Sequence, residues 1–80
     1  MKVNVKLYAT LQQYAPKGTE LGASFPVEFA GNSVAALIRH LEIKDEDARI
    51  VMVNGIRVTE LDYTLNDEDL VVIFPPIGGG

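Results

Sequence analysis

The chain has no cysteine. That absence removes disulfides, thiolate metal sites, iron–sulfur clusters and a cysteine nucleophile together. There is one histidine, His40. With no second ligand type clustered beside it, it makes neither a metal site nor a Ser-His-Asp relay. No glycine-rich loop of the P-loop or dinucleotide type occurs, so there is no internal nucleotide cradle. No apolar run nears the ~20 residues that a membrane span requires. Met1-Lys2 opens onto alternating residues rather than the apolar core of a signal peptide. Seven bases face eleven acids, for a net charge of −4, and no basic stripe for nucleic acid is visible. These absences lead us to expect a cytoplasmic protein with no bound cofactor, no metal, and no nucleic-acid or membrane partner.

What is present is a globular composition. Eighty residues with 48% apolar content make one domain with a modest core. The acids gather at Asp45-Glu46-Asp47, at Glu60 with Asp62, and at Asp67-Glu68-Asp69. Such turn-like runs are solvated and make poor general acids. A sharper reading makes them an acidic surface that steers toward a basic partner.

Lys2 to Tyr8 alternates, with Val3, Val5 and Leu7 on one face and Lys2, Asn4, Lys6 and Tyr8 on the other. This predicts a strand with one covered face. Ala9 to Ala15 changes to helical spacing and ends at Pro16-Lys17-Gly18, which predicts a short helix. Phe25, Val27 and Phe29 alternate again, and Pro26 places this second strand at a sheet edge. Ser33 supplies a cap for a main helix whose stripe is Val34, Leu37, Ile38 and Leu41. Arg49 to Val53 and Ile56 to Thr59 flank Asn54-Gly55, a strong hairpin signal. Leu61 and Leu65 are expected to anchor an irregular stretch, Asn66 to Asp69 to turn, and Leu70 to Phe74 to form the last strand.

The order β, short α, β, long α, β, β, β implies an α+β domain, a sheet with one main helix on one face. The last strand is the most apolar, so it belongs at the centre, parallel to the first. That is the β-grasp, or ubiquitin-like, arrangement, assigned here to residues 1–74. Val71 and Ile73 then face the helix. Leu70, Val72 and Phe74 face the other way beside Tyr8, where one helix leaves them uncovered. An uncovered apolar patch on a small protein marks a partner surface, and Arg57 on the returning strand is counted with it.

Residues 75–80 form the second segment, a flexible tail of Pro75-Pro76-Ile77-Gly78-Gly79-Gly80. The prolines stop the strand and favour extended backbone. Six residues reach roughly 20 Å at ~3.3–3.6 Å each. Glycine lets the backbone thread a narrow channel. The one reactive group at this end is a terminal carboxylate. ATP turns such a group into an acyl-adenylate, and a sulfur donor displaces AMP to leave a thiocarboxylate. The chain carries no machinery for that activation, so a separate enzyme must supply it.

Several stretches together resemble the small subunit of molybdopterin synthase and its relatives, the ubiquitin-like sulfur carriers. They are Val5-Lys6-Leu7-Tyr8-Ala9-Thr10-Leu11, Ser33-Val34-Ala35-Ala36-Leu37, Val53-Asn54-Gly55, Leu65-Asn66-Asp67-Glu68-Asp69 and Phe74-Pro75-Pro76-Ile77-Gly78-Gly79-Gly80. The resemblance spans the chain in order. It implies a non-catalytic carrier in molybdenum or tungsten cofactor synthesis, with the sulfur on Gly80 and Gly79 essential beside it. It implies a docking and tail set of Tyr8, Arg57, Leu70, Val72, Phe74, Pro75, Pro76, Ile77 and Gly78. The implied partners are a ubiquitin-activating-like adenylating enzyme that uses ATP, a sulfur donor, and a large synthase subunit. Gly78 departs from the family's usual small non-glycine residue, which leaves open whether Gly79 or Gly80 is the working end. Three other readings stay open. One is a carrier serving thiamine, cysteine or transfer-RNA thiolation. Another is a modifier conjugated to protein lysines, and the last is a plain binding module.

Overall fold

Alternation sets the first strand. In the computed structural model, which describes residues 1–76, β1 spans Lys2–Leu7 and buries Val3, Val5 and Leu7 completely. β2 (Phe25–Glu28), β3 (Ile50–Val53), β4 (Ile56–Val58) and β5 (Leu70–Phe74) complete one sheet, ordered β2-β1-β5-β3-β4. β5 is central. It pairs in parallel with β1, Val5 opposite Val71 and Leu7 opposite Ile73, and antiparallel with β3. The expected β-grasp architecture is therefore present, a five-stranded mixed sheet with one helix.

That helix, α1 (Val34–His40), buries Val34, Leu37 and Ile38 against the sheet. Its start is satisfied by three different groups. Ser33 Oγ accepts from Ala36 N–H at 3.1 Å, as the cap expectation required. The carbonyls of Tyr63 and Leu61 accept from Val34 and Ala35 N–H. Gly31 leads into this turn at φ 105°, where a Cβ would come within 2.9 Å of the Ala36 Cβ. Glycine is required there on both counts.

Three expectations need correction or sharpening. The Ala9–Ala15 helix is a 3₁₀ segment, Ala9–Tyr14. With only Leu11 buried, it has too little apolar face for a longer α-helix. Leu65 is buried as an anchor, but the Leu61 side chain is 54% exposed. Leu61 holds its stretch through its carbonyl on the helix instead. The main helix stops at His40, one residue before Leu41.

The edge position of β2 has a visible cause. Asn4 N–H donates to the Asp69 carbonyl on the β5 side. Alternation then turns the polar groups of Val3 and Val5 toward β2, where Val27 and Phe25 are their partners. Pro26 thus falls where the open edge would offer an N–H, and it has none to offer.

At the other side of β5 is a polar clasp. Asn54 and Gly55 take φ of 51° and 85°, the two positive angles of a tight hairpin turn. The Asn54 amide donates to Asp69 Oδ1 at 2.9 Å, and its oxygen accepts from Leu70 N–H at 2.9 Å. Asp69 Oδ2 accepts from Asn66 N–H at 2.8 Å. Asp69 is only 9% exposed, so this carboxylate is a joint between the β3–β4 turn and the start of β5. It is not one of the solvated acids its sequence neighbourhood implied.

Two stability predictions follow from this packing. Ile73→Ala, at a fully buried central position, should cost ~2–5 kcal/mol in urea unfolding. Asp69→Ala should cost about 1–3 kcal/mol, since it strands the amide of Asn54 and the N–H of Asn66. A loss below a few tenths of a kcal/mol for Asp69→Ala would show the clasp to be ornamental.

Candidate functional site

The helix covers one face of the sheet, so the other face is where a site must be sought. Strand register assigns its side chains in rows. Lys6 on β1 is opposite Val72 on β5, Val72 is opposite Met52 on β3, and Met52 is opposite Arg57 on β4. Paired residues project from the same face, so these four form one row across four strands. The next row toward the end of β5 holds Phe74 with Ile50 opposite and Tyr8 on the other side. In the row before, Leu70 is opposite Asn4.

Tyr8 and Phe74 stack with ring centroids 4.7 Å apart and planes 5° from parallel, the offset geometry that aromatic quadrupoles favour. Lys6 Nζ lies 5.4 Å from the Tyr8 ring centroid, within cation–π range. Tyr8 is steered there by the backbone on both sides. Its N–H donates to the Ile73 carbonyl at 3.3 Å. Ala9 then takes φ of 52°, which turns the chain off the sheet, and the Gln12 amide closes that turn on the Leu7 carbonyl at 2.7 Å.

The structure thus brings together Tyr8, Leu70, Val72, Phe74 and Arg57, all expected from sequence. Leu70 is 37% exposed, while Tyr8, Val72 and Phe74 are half-buried. Pro75 and Pro76 continue directly from β5. Ile77, Gly78, Gly79 and Gly80, also expected in the site, lie outside the described residues. Sequence reasoning missed Met52 and Ile50. Their signal was alternation in Ile50-Val51-Met52-Val53, where every residue is apolar and either parity fits a core. It also placed Lys6 on this face without giving it a role.

Elsewhere the surface offers little chemistry. Two shallow depressions of about 370 Å³ flank α1. One is lined by Tyr14, Glu28, His40 and Glu42 among others, and the His40 ring is tilted against Phe29 at 6.3 Å. Among the described residues no three acids or histidines gather as a metal site. No helix among them is long and apolar enough to cross a membrane. Among the described residues the arrangement presents a sheet surface and an outgoing strand.

Comparison with known proteins agrees with this picture. The model of the ThiS family matches residues 5–80. No curated protein matches the chain. Among solved structures, a Pyrococcus furiosus protein described as molybdopterin converting factor subunit 1 is similar at 30% identity and TM-score 0.67. It covers 95% of this chain and 98% of its own. A complex of subunits 1 and 2 of molybdopterin-converting factor from Helicobacter pylori matches at 22% identity and TM-score 0.62, over the full length of both chains. Small archaeal modifier protein 1 from Haloferax volcanii matches at 22% identity and TM-score 0.67, covering 95% of this chain and 98% of its own. The last two likenesses speak for the fold.

The face assignment is testable on the isolated protein. Phe74→Ala removes a half-buried ring and the stack with Tyr8, worth ~0.5–1.5 kcal/mol beyond area. It should destabilise less than Ile73→Ala in the same urea titration. Equal losses would mean that the face assignment of β5 is wrong.

Proposed function

The chain belongs to the ThiS family, and from that premise we propose that it is a sulfur carrier whose C-terminal glycine carboxylate is converted to a thiocarboxylate for molybdopterin synthesis. The observation that carries this reading is the position of the Leu70-Val72-Phe74 stripe. It lies on the central strand, which continues into Pro75-Pro76, and the glycine end follows in sequence. A partner that docks on the stripe finds the tail leaving from the edge of its own footprint.

In the proposed cycle the Gly80 carboxylate oxygen attacks the α-phosphorus of ATP, and pyrophosphate leaves. A hydrosulfide ion then attacks the acyl carbon, and AMP leaves with the bonding pair. The product is a –C(=O)S⁻ group on the chain. Its sulfur passes to a pterin precursor, and water restores the carboxylate. The chain supplies the docking face of Tyr8, Leu70, Val72 and Phe74, the stiff Pro75-Pro76 spacer, and Ile77, Gly78 and Gly79 as a thin lead to Gly80. An adenylating enzyme supplies the ATP chemistry and a large synthase subunit the acceptor site. The carrier works in the cytoplasm and holds no cofactor of its own. The Pyrococcus furiosus likeness, at 30% identity, favours the molybdopterin assignment. The likeness to a small archaeal modifier favours, as the second reading, conjugation of the same carboxylate to protein lysines.

Intact mass spectrometry decides between them. The protein is incubated with ATP, sulfide and the adenylating enzyme of the same genome, beside a control without ATP. The expected result is a mass gain equal to sulfur replacing oxygen, located on the C-terminal peptide and absent without ATP. One alanine added after Gly80 should abolish it. Isopeptide adducts on lysines with no thiocarboxylate would replace the carrier reading with the modifier. Unaltered sulfur loading of the extended chain would remove Gly80 from its role.

A further inference from the structure

The docking face is not simply apolar. The row Lys6–Val72–Met52–Arg57 has a cation at each end and two apolar side chains between. Three strand spacings separate its ends, about 14 Å at ~4.8 Å per spacing. Among the described residues neither cation has a carboxylate within ion-pair distance. Among the described residues the one ion pair is Lys2 with Glu68. Lys6 instead rests on the Tyr8 ring, and Arg57 is exposed.

Docking makes this arrangement costly unless it is answered. A partner seated on Val72 and Met52 removes water from both flanking charges. A charge taken out of water without a counter-charge is strongly unfavourable. The chain has no spare carboxylate in the row to offer. The counter-charges must come from across the interface.

The remaining charge points the same way. The net charge is −4. At the end of the sheet away from the tail, Asp67 and Glu68 are held against β1, Asp67 on Lys2 N–H and Glu68 near Lys2 Nζ and the Asn4 amide. An acidic partner is therefore repelled by most of this molecule and by the far end of this face. It is attracted at the Lys6–Arg57 row, one row back from the Phe74 row at the tail end of β5. Such a gradient orients a partner before contact.

We propose that the activating partner, resting on the carrier reading above, docks through an apolar patch bracketed by two acidic side chains about 14 Å apart, one meeting Lys6 and one meeting Arg57. This inverts the simplest reading of composition, in which the acidic runs would seek a basic partner. It also assigns Lys6 and Arg57 as specificity residues. They reject adenylating enzymes whose patch is uniformly apolar, because docking there would bury both charges unpaired. A carrier must bind and release in every cycle. Charges at the ends of the row favour fast encounter without adding apolar area that would slow departure.

The test is kcat/KM for thiocarboxylate formation by the adenylating enzyme of the same genome, at low and at high salt. Lys6→Glu with Arg57→Glu should lower kcat/KM roughly tenfold or more at low salt, chiefly through KM, as charge reversal at an interface rim acts on association. The gap from wild type should narrow at high salt. Arg57→Lys should recover most of the loss from Arg57→Glu. Lys17→Glu, on the exposed loop after the 3₁₀ segment, should have no effect. Should the double reversal unfold the protein by circular dichroism, Lys6→Gln with Arg57→Gln replaces it, with a smaller loss of the same salt dependence expected. Normal loading of a folded double variant at low salt would overturn the proposal and leave the carrier reading intact. Failure of the wild-type chain to load at all would overturn both.

Discussion

Everything in this molecule depends on β5 lying between β1 and β3. A parallel pair of strands lacks a short hairpin to hold it, and it prefers to be buried on both faces. Here it is buried on one. Val71 and Ile73 are buried in the core that also holds Val34, Leu37 and Ile38 of α1, while among the described residues Leu70, Val72 and Phe74 have no second layer above them. An eighty-residue chain has one helix long enough to cover a sheet face. The uncovered side is thus a consequence of size and topology, and the stripe on it is available to a partner.

A strand placed this way needs its register fixed, because a slip of one residue would exchange the two faces. The chain fixes it at both ends. At the start, Asp69 and Asn54 tie the Asn54-Gly55 turn to the first residue of β5, and Asn4 N–H takes the Asp69 carbonyl. At the finish, the Phe74 carbonyl accepts from Arg49 N–H and the Ile73 carbonyl from Tyr8 N–H. The Tyr8–Phe74 stack then locks the final side chain on the outer face. The buried carboxylate and the half-buried aromatic pair serve one end. They decide which residues point outward where the chain leaves the sheet.

How much of this was legible depends on the range over which each feature is encoded. Alternation in Lys2 to Leu7, the Ser33 cap, the Asn54-Gly55 turn and the Pro26 edge are local, and each could be read within a few residues. The central place of β5 was readable from its uniform apolarity. The joint at Asp69 was not, because its partner Asn54 is fifteen residues away and an Asp-Glu-Asp run looks solvated. Leu61 was misjudged for a related reason. Its hydrophobicity spoke for burial, but its carbonyl is what the helix uses. The row from Lys6 to Arg57 crosses four strands, and a register of that kind exists only once non-local pairing is known.

An open apolar face is also a hazard, since unprotected sheet surface and strand edges invite self-association. The chain restrains this without covering the face. Pro26 removes a donor from the open edge of β2. Tyr8 and Phe74 bury much of each other's surface, so the patch is half-buried rather than bare. A second copy laid face to face on the first in two-fold fashion would bring cationic row ends into an interface with no carboxylate in the row to meet them. The same cations that repel a copy of this chain would welcome an acidic enzyme. Solubility alone and docking with a partner are then served by one pair of side chains, and neither could become apolar without cost to both.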